Sequence, residues 1–123
     1  MRKLGFTLLA IIGFIAMSFG QESTNTAQAL DVPSLILSKY SGQYSFIFPA
    51  NITSEEVERN AVNYKNMFSV IFTVATNEIK INMVENTPMN RKVMMRMILS
   101  CGVQYVGVKD EEMSLYDFGK SYL

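Results

Sequence analysis

The segment FSVIFTVATNEIKINMVE, residues 68–85, carries two runs of alternating side chains around a short polar break. Val70, Phe72 and Val74 alternate with Ser69, Ile71 and Thr73, a run rich in β-branched and aromatic residues. Ile79, Ile81 and Met83 then alternate with Glu78, Lys80 and Asn82. Period-two alternation is the pattern of a half-buried strand. Thr76-Asn77 joins the two runs, and Asn tolerates the positive φ that tight connections need. The segment therefore predicts a β-hairpin.

Upstream, Tyr44, Phe46 and Phe48 alternate with Gln43, Ser45 and Ile47, a further strand that Pro49 stops. Thr53-Ser54-Glu55-Glu56 reads as a capping box opening a helix. Val57, Ala61, Tyr64 and Phe68 follow on one face of it. Downstream, Thr87 can cap a second helix with Pro88 in its first turn. Met89, Val93, Met97 and Cys101 form one face of that helix, with Met94 and Ile98 at its edges, and Gly102 is placed to end it. Val103 to Lys109 predicts another strand, Asp110 to Glu112 a turn, and Met113 to Phe118 an extra C-terminal strand or a tail packed on the sheet.

This order predicts an α+β, ferredoxin-like βαββαβ sandwich, with an antiparallel sheet and both helices on one face. Phe46, Phe72, Ile81, Val93 and Met97 are expected to share its core. The stretch Phe46 to Val108 resembles a heavy-metal-associated domain, the small copper-chaperone module of metal pumps. The resemblance lies in the element order, the hairpin, and a second helix ending ILSCGVQYVGV. Members of that family hold a soft cation through a Cys-x-x-Cys pair in the loop entering the first helix. That loop is FPANITSEEV here, without Cys, His or Met. What the resemblance implies is thus the fold, and no metal ligand carries over.

The chain has 123 residues and a mass of 13.9 kDa, enough for one domain. Its formal net charge is zero, so no electrostatic feature points to nucleic acid. It has no His and one Cys, which excludes His-based acid–base chemistry, Cys–His nucleophiles and an intramolecular disulfide. Glu55, Glu56 and Glu58 are accounted for by capping and by the helix dipole. No Gly-rich phosphate loop or Ser-centred nucleophile motif is visible, and no catalytic residue or cofactor is expected.

At the N-terminus, Arg2 and Lys3 precede the uncharged apolar run Leu4 to Phe19, and Ser18 and Gly20 suit a cleavage before Gln21. Residues 1–20 thus read as a signal peptide, and the protein as exported to the periplasm or the extracellular space. A membrane enters only if this leader is retained as an anchor. Residues 21–39 are expected to form a flexible or partly docked leader: Glu22 to Gln28 is polar, and Leu30 to Leu37, interrupted by Pro33, is expected to dock as a turn or short helix. Residues 40–123 form the domain.

Two functional classes follow. The first is a non-catalytic module that binds a protein or peptide partner or a second copy of itself through the open sheet face. Ile47, Ile71, Thr73, Lys80 and Asn82 lie on that face, with Ile47 and Ile71 expected to form an apolar patch. The second is a soft-metal protein in which the M-x-x-M pair Met94 and Met97, with Cys101, replaces the missing thiols. The same sulfurs fit a packed helix face, where Met fills gaps and free Cys is usually buried. Met95 is expected at the boundary, and Arg91, Lys92 and Arg96 form a small basic edge. Intact-mass analysis of the exported protein is expected to show a chain beginning near Gln21; retention of Met1 to Gly20 would contradict the leader.

Overall fold

The computed structural model describes residues 25–123. The proposed signal peptide lies outside them. Ten regular elements follow in order. They are β1 (Thr26–Ala29), α1 (Val32–Ser41), β2 (Gln43–Ile47), α2 (Ser54–Ala61), β3 (Phe68–Thr73), β4 (Glu78–Met83), α3 (Pro88–Ser100), β5 (Tyr105–Val108), β6 (Glu111–Ser114) and α4 (Leu115–Tyr122). A 3₁₀ turn, Val62–Tyr64, extends α2.

Local chemistry sets the helix boundaries. Each helix begins at a polar side chain that accepts an otherwise unpaired amide of the first turn. These are Asp31 for α1, Thr53 for α2, Thr87 for α3 and Ser114 for α4. Thr53 and Glu56 form the expected reciprocal box. Helix α3 ends at Gly102, whose φ of 110° is open to glycine and strained for a residue with a side chain. Asn77, at φ 57°, closes the β3–β4 connection. Its side chain donates to the Pro49 carbonyl at 2.8 Å, tying the hairpin to the end of β2.

The fold is α+β, with a six-stranded mixed sheet in the order β3-β4-β2-β1-β5-β6. Strand β4 pairs antiparallel with both β3 and β2, Phe72 lying opposite Ile79 and Phe46 opposite the same residue. Strand β1 pairs antiparallel with β2 and parallel with β5. The expected four-stranded antiparallel sheet would bring β2 and β5 side by side; here β1 stands between them. Thr26 to Ala29 was expected in a flexible leader. Its polar sequence hides the fact that both of its edges are paired and that Ala27 is fully buried. Leu30 to Leu37 was expected to dock as a turn or short helix, and Val32–Ser41 forms α1. Pro33 sits in the first turn, where its missing N–H costs nothing, so it does not interrupt the helix.

The C-terminus also differs from expectation. Strand β6 occupies Glu111 and Glu112, expected in a turn, while the tight reversal is made one step earlier with Lys109 at φ 59°. Residues 115–122, expected as a strand end or a covering tail, form α4. Leu115, Phe118 and Tyr122 fall at helical spacing on its inner side, Phe118 meeting Phe46 edge-on at 5.8 Å and Tyr122 at 5.3 Å.

One core fills the space between sheet and helices. Tyr44, Phe46, Phe68, Ile79 and Ile81 face Leu35, Val57, Met94, Ile98 and Phe118. Of the expected core, Phe46, Ile81 and Met97 are buried, while Phe72 and Val93 are partly buried at its margin. The buried face of α3 is rotated from the expected one: Met89 is 69% exposed, whereas Arg91 and Met95 are buried. The cause is α4, which packs on the flank of α3 and draws Met95 under cover. Truncating Phe46 or Phe118 to Ala is expected to cost about 3–5 kcal/mol in urea denaturation, and Phe72→Ala clearly less. Equal losses at all three positions would contradict this core boundary.

Candidate functional site

The expected interaction surface lies on the sheet face away from the helices. Ile47, Ile71, Thr73, Lys80 and Asn82 all point outward there and are exposed. The apolar patch does not form. Ile71 is opposite Lys80, while Ile47 is opposite Glu78, so both the width of β4 and one residue pair separate them. Strand spacing and rise place the two isoleucines roughly 12 Å apart with charged side chains between them. Ser45 donates to Glu78 at 3.1 Å, adding to the polar character of that strip. A shallow depression of about 320 Å³ is lined by Leu30, Gln43, Tyr44, Ser45, Lys80, Ile81 and Asn82, polar and apolar in nearly equal share. Toward β6, Gln28 lies across Gly107 and donates to its carbonyl at 3.0 Å, and Thr26 donates to Glu112.

The sulfur residues lie in the core. Met94 and Met97 are fully buried and Cys101 is 4% exposed. Met97 and Cys101 touch, with their sulfurs 3.7 Å apart, one helical turn from each other. Burial pushes the Cys101 thiol up to about 11, with the negative charge of Glu56 adding to the effect. A metal-binding thiol must give up its proton, and this environment holds it on. Among the described residues no three carboxylate, thiol or imidazole side chains cluster as a cation site.

A second buried polar group lies where α3 meets α1 and α4. Arg91, expected on a solvent-facing basic edge, turns inward. Its Nη1 donates to Asn86 Oδ1 at 2.6 Å, and its Nε donates to the Leu123 main-chain oxygen at 3.1 Å. Asn86 in turn donates to the carbonyls of Lys39 and Tyr40 at the end of α1. The nearby Tyr44 hydroxyl is buried without a hydrogen-bond partner among the described residues. Burial raises it to about 12, and the Arg91 charge acts weakly in the opposite sense. This set ties three elements together, and a shallow depression of about 410 Å³ lined by Ile36, Lys39, Tyr40, Asn86 and Arg91 opens over it.

A groove of about 670 Å³ lies between α3 and α4. Arg91 near the start of α3 holds Leu123 at the end of α4, so the helices run antiparallel along it. Met95, Leu99, Leu115 and Gly119 make an apolar floor, and Lys92, Arg96 and Lys120 stand on its walls. Tyr116 is 73% exposed on the α4 wall, and the Lys120 ammonium lies 5.5 Å from its ring centroid, within cation–π range. Lys92 and Arg96 were singled out from the sequence as a basic edge. The groove itself was hidden, because it requires residues 115–122 to be helical.

No family model, no curated protein and no solved structure matches this chain.

Both raised groups have the same consequence for stability. A group whose folded pKa exceeds its unfolded value stabilises fully below the unfolded value, and that contribution is lost as pH rises through the folded one. Stability is therefore expected to fall from about pH 9 to 11 through Cys101, and from about 10 to 12 through Tyr44. Cys101→Ala should flatten the first part of that decline in urea titrations. At pH 8, iodoacetamide should alkylate the folded thiol about a hundredfold more slowly than the unfolded one. Comparable rates would show the thiol to be accessible and unperturbed.

Proposed function

We propose that this is a small exported binding module without catalysis, whose site is the groove between α3 and α4. One observation carries the reading: an apolar trough of about 670 Å³, open to solvent, beside which Gly119 is buried and has no atom within 4 Å of where a Cβ would stand. That volume lies in the range of small-ligand sites, roughly 300–1,000 Å³. The candidate acid–base residue Glu56 is occupied by the capping box. The partner face inferred from the sequence is interrupted by Lys80 and Glu78, which makes it the weaker surface for an apolar ligand.

The run β2-α2-β3-β4-α3-β5 follows the element order of ferredoxin-like metal-binding modules, and we read the domain as that arrangement with β1 inserted and α4 added. On this reading the relation is one of architecture. The soft-metal alternative would need Met94, Met97 and Cys101 to leave the core together, at roughly 1.5–3 kcal/mol for each large side chain exposed.

The test is titration with the uncharged fluorophore N-phenyl-1-naphthylamine. Saturable uptake at one site is expected, weakened at least tenfold by Gly119→Leu. A Cβ at position 119 meets no atom within 4 Å, so the site takes a first side-chain carbon without a clash, and the rest of the leucine extends toward the groove. Replacing a mid-helix glycine should also raise stability by about 0.5–1 kcal/mol, which confirms folding of the variant. Absence of saturable uptake, or uptake indifferent to Gly119→Leu, would overturn the reading.

A further inference from the structure

The charge around this groove points to the class of ligand it takes. Lys92 and Arg96 are four residues apart on α3, and so stand one above the other at about 6 Å. Lys120 faces them from α4, and its contact with the Tyr116 ring keeps its ammonium at the rim. Three cations thus surround one apolar floor, and no Asp or Glu side chain is among the described residues lining it. All three side chains are exposed, so their combined attraction for an anion placed between the walls is long-ranged at low salt and screened at high salt.

We propose that the groove binds a single-chain anionic amphiphile, a long-chain acyl carboxylate. The inference rests on the reading of the groove as a binding site. The head group is held between Lys92, Arg96 and Lys120, and the tail runs over Met95 and Leu99 toward Leu115. From the level of Lys92 to Leu99 the floor runs roughly 10 Å at the helical rise, so the end of a longer tail extends past Leu115. Its depth comes from the missing side chain at Gly119, a gap of one side chain's width. That gap admits an alkyl chain; a partner helix with a diameter of about 10–12 Å would rest on the rims and leave the floor unfilled.

Isothermal titration with three ligands of equal tail, below their micelle concentrations, separates the terms: dodecanoate, dodecanol and dodecyltrimethylammonium. Dodecanoate is expected to bind at least tenfold more tightly than the cationic chain, with dodecanol between them. The difference should shrink as salt is raised. Shorter alkanoates should lose up to about fourfold per methylene removed. In Lys92→Ala/Arg96→Ala/Lys120→Ala the three ligands should converge. Amide NMR shifts caused by dodecanoate should map to α3 and α4.

Equal affinity for the three head groups in the unaltered protein would overturn the acyl-carboxylate assignment. If N-phenyl-1-naphthylamine still bound in a Gly119-dependent way, the binding-module reading would survive that result. A head-group preference unchanged in the triple variant would also overturn the assignment, by moving the charge recognition elsewhere. Binding to phosphatidylglycerol vesicles without binding of monomeric dodecanoate would overturn it in favour of a membrane-surface site. Failure of both the neutral probe and dodecanoate would remove the site altogether.

Discussion

The sheet holds together at β1. On one side stand β3, β4 and β2, on the other β5 and β6, and among the described residues the only strand paired with both groups is Thr26–Ala29. Its pairings are short: Gln28 and Ala29 opposite Ile47 and Phe46, and Thr26 to Gln28 alongside Tyr105 to Gly107. Four residues contribute little side-chain area, yet they satisfy the facing edges of two strands that would otherwise be unpaired in the middle of the molecule. Ala27 and Ala29 are small enough for the core to close above them, where Phe46 and Phe118 meet. The position of β6, and hence of α4 and the groove wall it forms, depends on that bridge.

The sequence read best where side chains make the pattern. The hairpin of β3 and β4, the strand β2 and the capped starts of α2 and α3 follow from alternation, helical spacing and the hydroxyls of Thr53 and Thr87. It read worst where the main chain does the binding. The segment TAQA alternates Thr26 and Gln28 with Ala27 and Ala29, but four residues with alanine as the apolar member are too weak a pattern to separate a central strand from a flexible leader. Pro33 is compatible with helix α1 because Asp31 caps it, accepting from the Ser34 amide at 3.0 Å, which puts the proline in the first turn. At the C-terminus, Met113 and Leu115 start an alternation that the spacing of Leu115, Phe118 and Tyr122 contradicts only two turns later. Ser114, accepting from the Asp117 amide at 3.1 Å, settles that competition for the helix.

The same limit governs the site. Lys92 and Arg96 were recognisable as an exposed basic pair, but the meaning of a basic helix edge depends on what stands opposite it. With residues 115–118 taken as a strand, that edge faces solvent; with α4 in place, it becomes one wall of a trough. Arg91 shows the converse. Adjacent in sequence to Lys92, it points some 100° away around the helix and satisfies Asn86 and Leu123 inside the fold. Three cations in one short stretch therefore divide into a structural one and two that reach the groove. Met89 and Met95 exchange places for the same reason, since which flank of α3 is covered is decided by α4.

Gly102 and Gly119 illustrate how a structural demand can be told from an open question. Gly102 has a φ of 110°, and the end of α3 requires that conformation, so its side chain is absent for a backbone reason. Gly119 lies inside α4 with no such dihedral, and a Cβ there would meet nothing within 4 Å. Neither strain nor crowding calls for glycine at that position. Helix propensity argues against it, by about 0.5–1 kcal/mol relative to Ala. A helix of only eight residues that gives up that stability, while burying Phe118 beside it, keeps one thing in return. The space over Gly119 is the floor of the groove, and any larger side chain would fill it.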